Sequence, residues 1–278
     1  MNSTRDINQL KGMLHIHKEK PVVVTEGDSW FGYPDGLLST HHGSNIIDHI
    51  EDSDKFNILR MESVGDEAHC MMTGRQKAFM IFALKEIKKE LKKIPDSVQP
   101  HVSYLLFSGG GNDIVGEGDM PRFLNTWKDG MDAHAAINWG NATSGLNGEM
   151  ARIREAYLTL IEIRDKHSPD TTIITHGYDY LPPSGKPAVF LGGLLKFGPW
   201  IKPFMIAKKI RDPAIQQEIV NLMIERLNNM LIQLEATTAN FIRVNTIGTI
   251  NANQWLNEIH PNKQGFKKLA TKFLAQMK

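Results

Sequence analysis

Five short runs of apolar and β-branched residues constrain this chain more than any other feature: Pro21–Thr25 (PVVVT), Phe56–Met61 (FNILRM), Val102–Phe107 (VSYLLF), Thr171–Thr175 (TTIIT) and Phe241–Val244 (FIRV). Each has strand length, and most end in glycine or a polar turn. Between them lie helical patterns, around 36–50, 76–94, 148–167, 213–236 and 263–277. In the second of these, Met80, Leu84, Ile87 and Leu91 share one face at helical spacing. Lys85, Lys88, Lys89, Lys92 and Lys93 fall largely on the others and read as a solvated face. Strands alternating with helices predict an α/β protein, with a mostly parallel sheet, helices on both faces and right-handed crossovers. Chemistry in such sheets gathers at the carboxyl ends of the strands.

Composition narrows the field. The 278 residues show no repeat and no Gly/Ser or Pro-rich linker, so 1–278 is expected to be one domain, with insertions near 116–147 and 181–211. Thirty-two Lys and Arg stand against 31 Asp and Glu, which leaves no overall field for a nucleic acid backbone or an anionic membrane. With one cysteine, Cys70, no internal disulfide can form, and no CxxC or Cys/His grouping offers a zinc site. Cys70 itself is expected to be a small buried apolar residue. The N-terminal residues lack the apolar core of a signal peptide, so the protein is expected in the cytoplasm. The most apolar stretch, Ala188–Ile206, is interrupted by Lys196, Pro199, Lys202, Pro203 and three glycines, and no membrane-spanning helix is expected there.

Polar groups follow the strand-like runs. After the first comes Gly27-Asp28-Ser29-Trp30, where the glycine permits a tight turn and Ser29 projects a hydroxyl from the start of a helix. After the second, Ser63-Val64-Gly65-Asp66 offers a backbone N–H with no side chain in its way. After the third, Gly109-Gly110-Gly111-Asn112-Asp113 brings the backbone close to a ligand and adds an amide with two donors. The fifth leads through Asn257-Glu258-Ile259-His260-Pro261-Asn262 into the last helix. Taken singly, Ser29 reads as a helix cap, Gly65 as a turn glycine and His260 as structural. Together they supply a nucleophile, oxyanion donors and a general base.

At these positions the chain resembles the SGNH hydrolases, also called GDSL esterases and lipases. The resemblance rests on GDSW at 27–30, the glycine of SVGD at 65, GGGND at 109–113 and HPN at 260–262, which occur in the family's order and span most of the chain. It implies a flavodoxin-like three-layer α/β/α fold with about five mostly parallel strands, and ester hydrolysis through a serine acyl-enzyme. Ser29 resembles the nucleophile, and its own N–H joins Gly65 and Asn112 in the oxyanion hole. His260 resembles the base. Neither a metal nor an organic cofactor is implied, and the partner is a small-molecule, lipid or glycan ester.

The chain departs from the pattern at the third triad position. The family's acid lies three residues before the histidine, where this chain has Asn257. An amide oxygen can accept the His260 Nδ1 proton and fix the tautomer, yet it brings no full charge to imidazolium. Three readings stay open: Asn257 orients His260; Glu258 or Asp179, the latter in HGYDY after the fourth run, supplies a carboxylate; or activity is low. The first is favoured. A serine esterase is therefore expected, with a weak or inactive binding protein for an acylated or glycan ligand as the alternative.

Several features are set aside. Asp66–His69 spells DEAH, but no phosphate-binding GxxxxGK[ST] accompanies it, and GGGND lacks both that pattern and GxGxxG. His15, His17, His41 and His42 lack the carboxylates or cysteines that would complete a metal site. Trp30 and Phe31 either line an acyl or aromatic pocket or pack the first helix. The apolar insertion at 181–211 is either a lid over an acyl chain or a contact surface of a homo-oligomer.

Overall fold

The computed structural model describes residues 2–33, 45–95, 100–116, 118–190 and 194–277. Its strands are β1 (Ser3–Thr4), β2 (Val22–Gly27), β3 (Asn57–Arg60), β4 (Tyr104–Ser108), β5 (Thr172–His176), β6 (Ala188–Phe190), β7 (Leu195–Phe197) and β8 (Phe241–Val244). Six form one wholly parallel sheet in the order β1-β3-β2-β4-β5-β8, and β6 and β7 form a separate antiparallel hairpin. Without the short edge strand β1, this is the flavodoxin-like order, with its topological switch between β2 and β4. The five apolar runs are the five long-range strands of this sheet.

One register row shows why those runs are so apolar. Leu59, Val24, Leu105, Ile173 and Phe241 lie side by side across five strands, all buried. Helices cover both faces, so neither set of alternate side chains reaches water. The helices are α1 (Ile7–Ile16), α2 (Ser29–Gly32), α3 (Ile46–Glu51), α4 (Ala68–Met71), α5 (Gly74–Leu91), α6 (Gly111–Val115), α7 (Ala133–Ala136), α8 (Gly145–His167), α9 (Lys202–Ala207), α10 (Pro213–Thr237) and α11 (Lys263–Leu274). Helices α3 and α11 pack together on one face, while α1, α5, α8 and α10 form a row on the other. The helix expected over 36–50 is described only at its end, as α3; its earlier part lies outside the described residues.

Two elements have little sequence signature. Strand β1 is a polar dipeptide held by parallel pairing to β3. Helix α1 buries Ile7, Leu10, Met13 and Leu14 on one face within an otherwise polar stretch. The two insertions pack on each other: the Trp127 N–H donates to the Lys208 carbonyl at 2.8 Å. Among the described residues, no helix is long and apolar enough to cross a membrane.

Strand β2 also carries a buried acid. One oxygen of Glu26 accepts the Gly27 N–H at 3.0 Å, and the other has no partner among the described residues. Burial, with Glu62 and Asp66 nearby, pushes this carboxyl up to about 9 from 4.5. The unfolded chain ionises at the lower value, so folding takes up a proton and Glu26 costs progressively more stability as pH rises from 4.5 to about 9. Glu26→Gln should therefore stabilise the fold by about 3 kcal/mol at neutral pH and by little in acid. Urea titrations of both proteins across pH check this, and equal midpoints at every pH would contradict it.

Candidate active site

Three strand ends converge on one buried carboxylate. Strand β2 runs into Asp28, which caps α2 by accepting the Trp30 N–H at 2.9 Å. The same carboxylate accepts the Ser108 hydroxyl from the end of β4 at 2.8 Å, and the Tyr178 hydroxyl from just beyond β5. Burial pushes Asp28 up to about 6 although these three donors favour its charge. Because Ser108 gives its proton to Asp28, His176 Nε2 must donate to the Ser108 oxygen, at 2.9 Å. Its Nδ1 then accepts the Tyr178 N–H at 3.2 Å. Burial drops His176 to about 3, so the ring is neutral, stacked on Trp30 with centroids 5.2 Å apart. Ser108 and His176 are completely buried, and their hydrogen bonds end on Asp28 and the Tyr178 N–H, so this serine–histidine pair serves as scaffold.

Ser29, at the first position of α2, points the other way. Its Oγ lies 2.7 Å from His260 Nε2. The histidine sits in a tight loop closed by a bridge between Trp255 and Pro261, with Leu256 N–H donating to its carbonyl at 2.9 Å. Asn257 builds that loop. Its Oδ1 accepts the N–H of Ile259 at 3.0 Å and of His260 at 2.9 Å, an Asx-turn. The same oxygen lies 3.1 Å from His260 Nδ1, which puts the ring proton on Nδ1 and leaves Nε2 free to accept from Ser29. Burial holds His260 down to about 3. The Tyr33 ring packs 4.1 Å from the imidazole between centroids, and Trp200 meets it edge-on at 5.8 Å.

Two glycines of the GGGND block have definite reasons. Gly110 has φ +109°, and a Cβ on Gly111 would come within 2.6 Å of the Tyr178 ring. The block therefore lies flat against the tyrosine that serves Asp28. Asn112 donates one amide hydrogen to the Asp66 carbonyl at 2.9 Å, and its second has no partner among the described residues. The buried Asp113 accepts the Ala68 N–H at 2.9 Å, and burial pushes its carboxyl up to about 7. These two bonds tie the Ser63–Asp66 turn to the block. Gly65, exposed at φ +86°, sits in that turn with no partner for its N–H among the described residues. Ser29, Gly111, Asn112, Tyr178 and Ile259 line a narrow cleft between them.

The other candidates lie elsewhere. Asp179 does not reach His260: its carboxylate accepts the N–H groups of Tyr180, Gly248 and Ile250 at 2.6–2.8 Å, clamping the loop after β8. Glu258 points into the insertion and accepts the N–H groups of Gly185, Ile201 and Lys202 at 2.8–3.0 Å. Trp30 and Phe31 are buried, and the Trp30 indole donates to the Ile259 carbonyl at 2.9 Å, fixing the loop beside His260. Cys70 is exposed, not buried as its apolar character suggests, because it lies on the outer side of α4. His15 pairs with Glu90 at 2.8 Å; His41 and His42 lie outside the described residues. Ser108, His176 and Tyr178 are the residues sequence reasoning misses. Their one signal is that each ends or follows a strand at the carboxyl edge.

No family model matches the chain, and no curated protein does. Solved structures do. The chain is similar to a lipase from a goat rumen metagenome, at 13% identity and a TM-score of 0.56, over 92% of this chain and 97% of that one. It is similar also to an extracellular lipase from Streptomyces rimosus, at 13% identity and a TM-score of 0.51, over 92% and 99%. These likenesses show a shared fold, the α/β fold with a parallel central sheet flanked by helices.

The Asp28 hub makes a direct prediction. Tyr178→Phe leaves a buried carboxylate oxygen without its donor and should destabilise the fold by about 1–3 kcal/mol. A shift in the urea midpoint with unchanged slope is the expected reading; an unchanged midpoint would show that Asp28 does not depend on that hydroxyl.

Proposed function

We propose that this protein is a serine ester hydrolase, with Ser29 as nucleophile and His260 as general base. The observation that carries the reading is the 2.7 Å contact between Ser29 Oγ and His260 Nε2 at the switch point of the sheet, with the His260 tautomer set by Asn257. Ser29 Oγ attacks the ester carbonyl carbon while its proton passes to His260 Nε2. Negative charge then gathers on the carbonyl oxygen, where the Ser29 and Gly65 N–H groups and the second Asn112 amide hydrogen meet it. His260 returns the proton to the departing alkoxide, leaving an acyl-enzyme. Water, deprotonated by the same nitrogen, releases the acid and restores Ser29.

Ser29→Ala should abolish turnover of p-nitrophenyl esters. Asn112→Ala should lower it on the order of a hundred to a thousand-fold with the fold intact. Near-normal turnover in either variant would remove that residue from the mechanism.

Asn257 sets a particular pH behaviour. A neutral His260, held down to about 3 by burial, keeps its base form far into acid, but the imidazolium formed on proton transfer gains no neighbouring charge. Asn257→Asp retains the oxygen used by the three donors and adds that charge. It should move the acid limb of kcat/KM upward by at least about one pH unit and raise kcat at neutral pH on the order of tenfold. An unchanged pH profile would reduce Asn257 to a loop-building role.

The same amide favours a second reading, a binding protein for an acylated or glycan ligand that does not turn it over. That reading requires saturable binding with hydrolysis no faster than the Ser29→Ala background.

A further inference from the structure

We infer that the β6–β7 hairpin and the lysines around it form a docking surface for an anionic lipid bilayer. The hairpin turns apolar side chains outward: Val189 is 52% exposed, Leu194 84%, Leu195 47% and Phe197 54%. An apolar patch of this kind on a water-facing hairpin marks a contact surface. Charge selects the partner. The insertion at 181–211 contains Lys186, Lys196, Lys202, Lys208, Lys209 and Arg211, and none of the chain's 31 Asp and Glu. None of the six cations forms an ion pair among the described residues. The buried Glu258 is occupied by the N–H groups of Gly185, Ile201 and Lys202, and Asp212, which follows Arg211, by those of Ala214 and Ile215 at the cap of α10.

The near-neutral chain thus carries a segment of six cations and no acid, within which the hairpin exposes Val189, Leu194, Leu195 and Phe197. That pairing is what an anionic membrane interface attracts: cations meet the headgroups while apolar side chains enter the acyl boundary. Strands of three residues span roughly 10 Å, which matches the depth to which interfacial elements sink. A self-association surface would bring six like charges against their own copies unless acids elsewhere received them, and the segment provides none.

The patch is coupled to the candidate site. Glu258 holds both feet of the hairpin, at Gly185 and at Ile201–Lys202, and Trp200 between them touches His260. A bilayer docked here would lie against the mouth that holds Ser29. The docking inference rests on the patch alone and stands whether or not Ser29 is a nucleophile.

Co-sedimentation of the full chain with vesicles tests it, using phosphatidylcholine alone or mixed with about one third phosphatidylserine. The protein should partition at least tenfold more strongly to the mixed vesicles, and high salt should weaken this. The double variant Leu194→Asp/Leu195→Asp, and separately Lys196→Glu/Lys209→Glu, should each cut partitioning about tenfold or more with unchanged thermal unfolding. Ser29→Ala should bind as the parent does. Partitioning that is absent, indifferent to phosphatidylserine or untouched by both double variants would overturn the inference. So would its loss in Lys88→Glu/Lys92→Glu, on the lysine-rich face of α5. If sedimentation velocity shows an oligomer that Leu194→Asp/Leu195→Asp dissociates, the surface belongs to a second copy and the inference fails.

Discussion

The buried carboxylate of Asp28 organises the carboxyl edge of this sheet. One group accepts the α2 cap N–H, a hydroxyl from the end of β4 and a hydroxyl from beyond β5, so three adjacent strand ends share one anchor. An acid so deeply buried is tolerated because its lone pairs are met, and burial still pushes it up to about 6. The GGGND block depends on the same anchor, since Gly111 must stay bare for Tyr178 to reach Asp28. From that block, Asn112 and Asp113 fasten the turn that carries Gly65. Rigidity runs outward from Asp28, and Ser29 is the next residue along the chain.

On the opposite side of the cleft, Asn257 combines two tasks in one oxygen. It folds the loop through the N–H groups of Ile259 and His260, and it orients the imidazole through Nδ1. An amide suffices for both, because both need an acceptor and neither needs a charge. What it does not offer is compensation for imidazolium. Glu258, the adjacent acid, is spent on holding the insertion.

Much of this was legible in the residues because it depends on local pattern. Buried parallel strands read as apolar runs, and glycine, serine, asparagine and histidine at successive strand ends mark the places where such a sheet puts chemistry. Tyr178, Ser108 and His176 were not legible, since their roles arise from a meeting of distant segments that no spacing reveals. Tyr178 adopts φ +63°, a left-handed conformation that a bulky residue keeps only when its surroundings hold it. Asp179 looked like a triad acid because it follows a strand, yet three backbone N–H groups claim it. The hairpin was hidden for the opposite reason. Its apolar residues face outward, so its sequence reads like core, and its net charge vanishes into a balanced total.

The central claim is that Ser29 is a nucleophile activated by His260. Reaction with an organophosphonate fluoride, followed by intact mass and peptide mapping, tests it without knowledge of the natural ester. The account predicts a single adduct on Ser29, formed at least a hundredfold more slowly in His260→Ala. An adduct on another residue, or labelling of Ser29 at the same rate without His260, would contradict it.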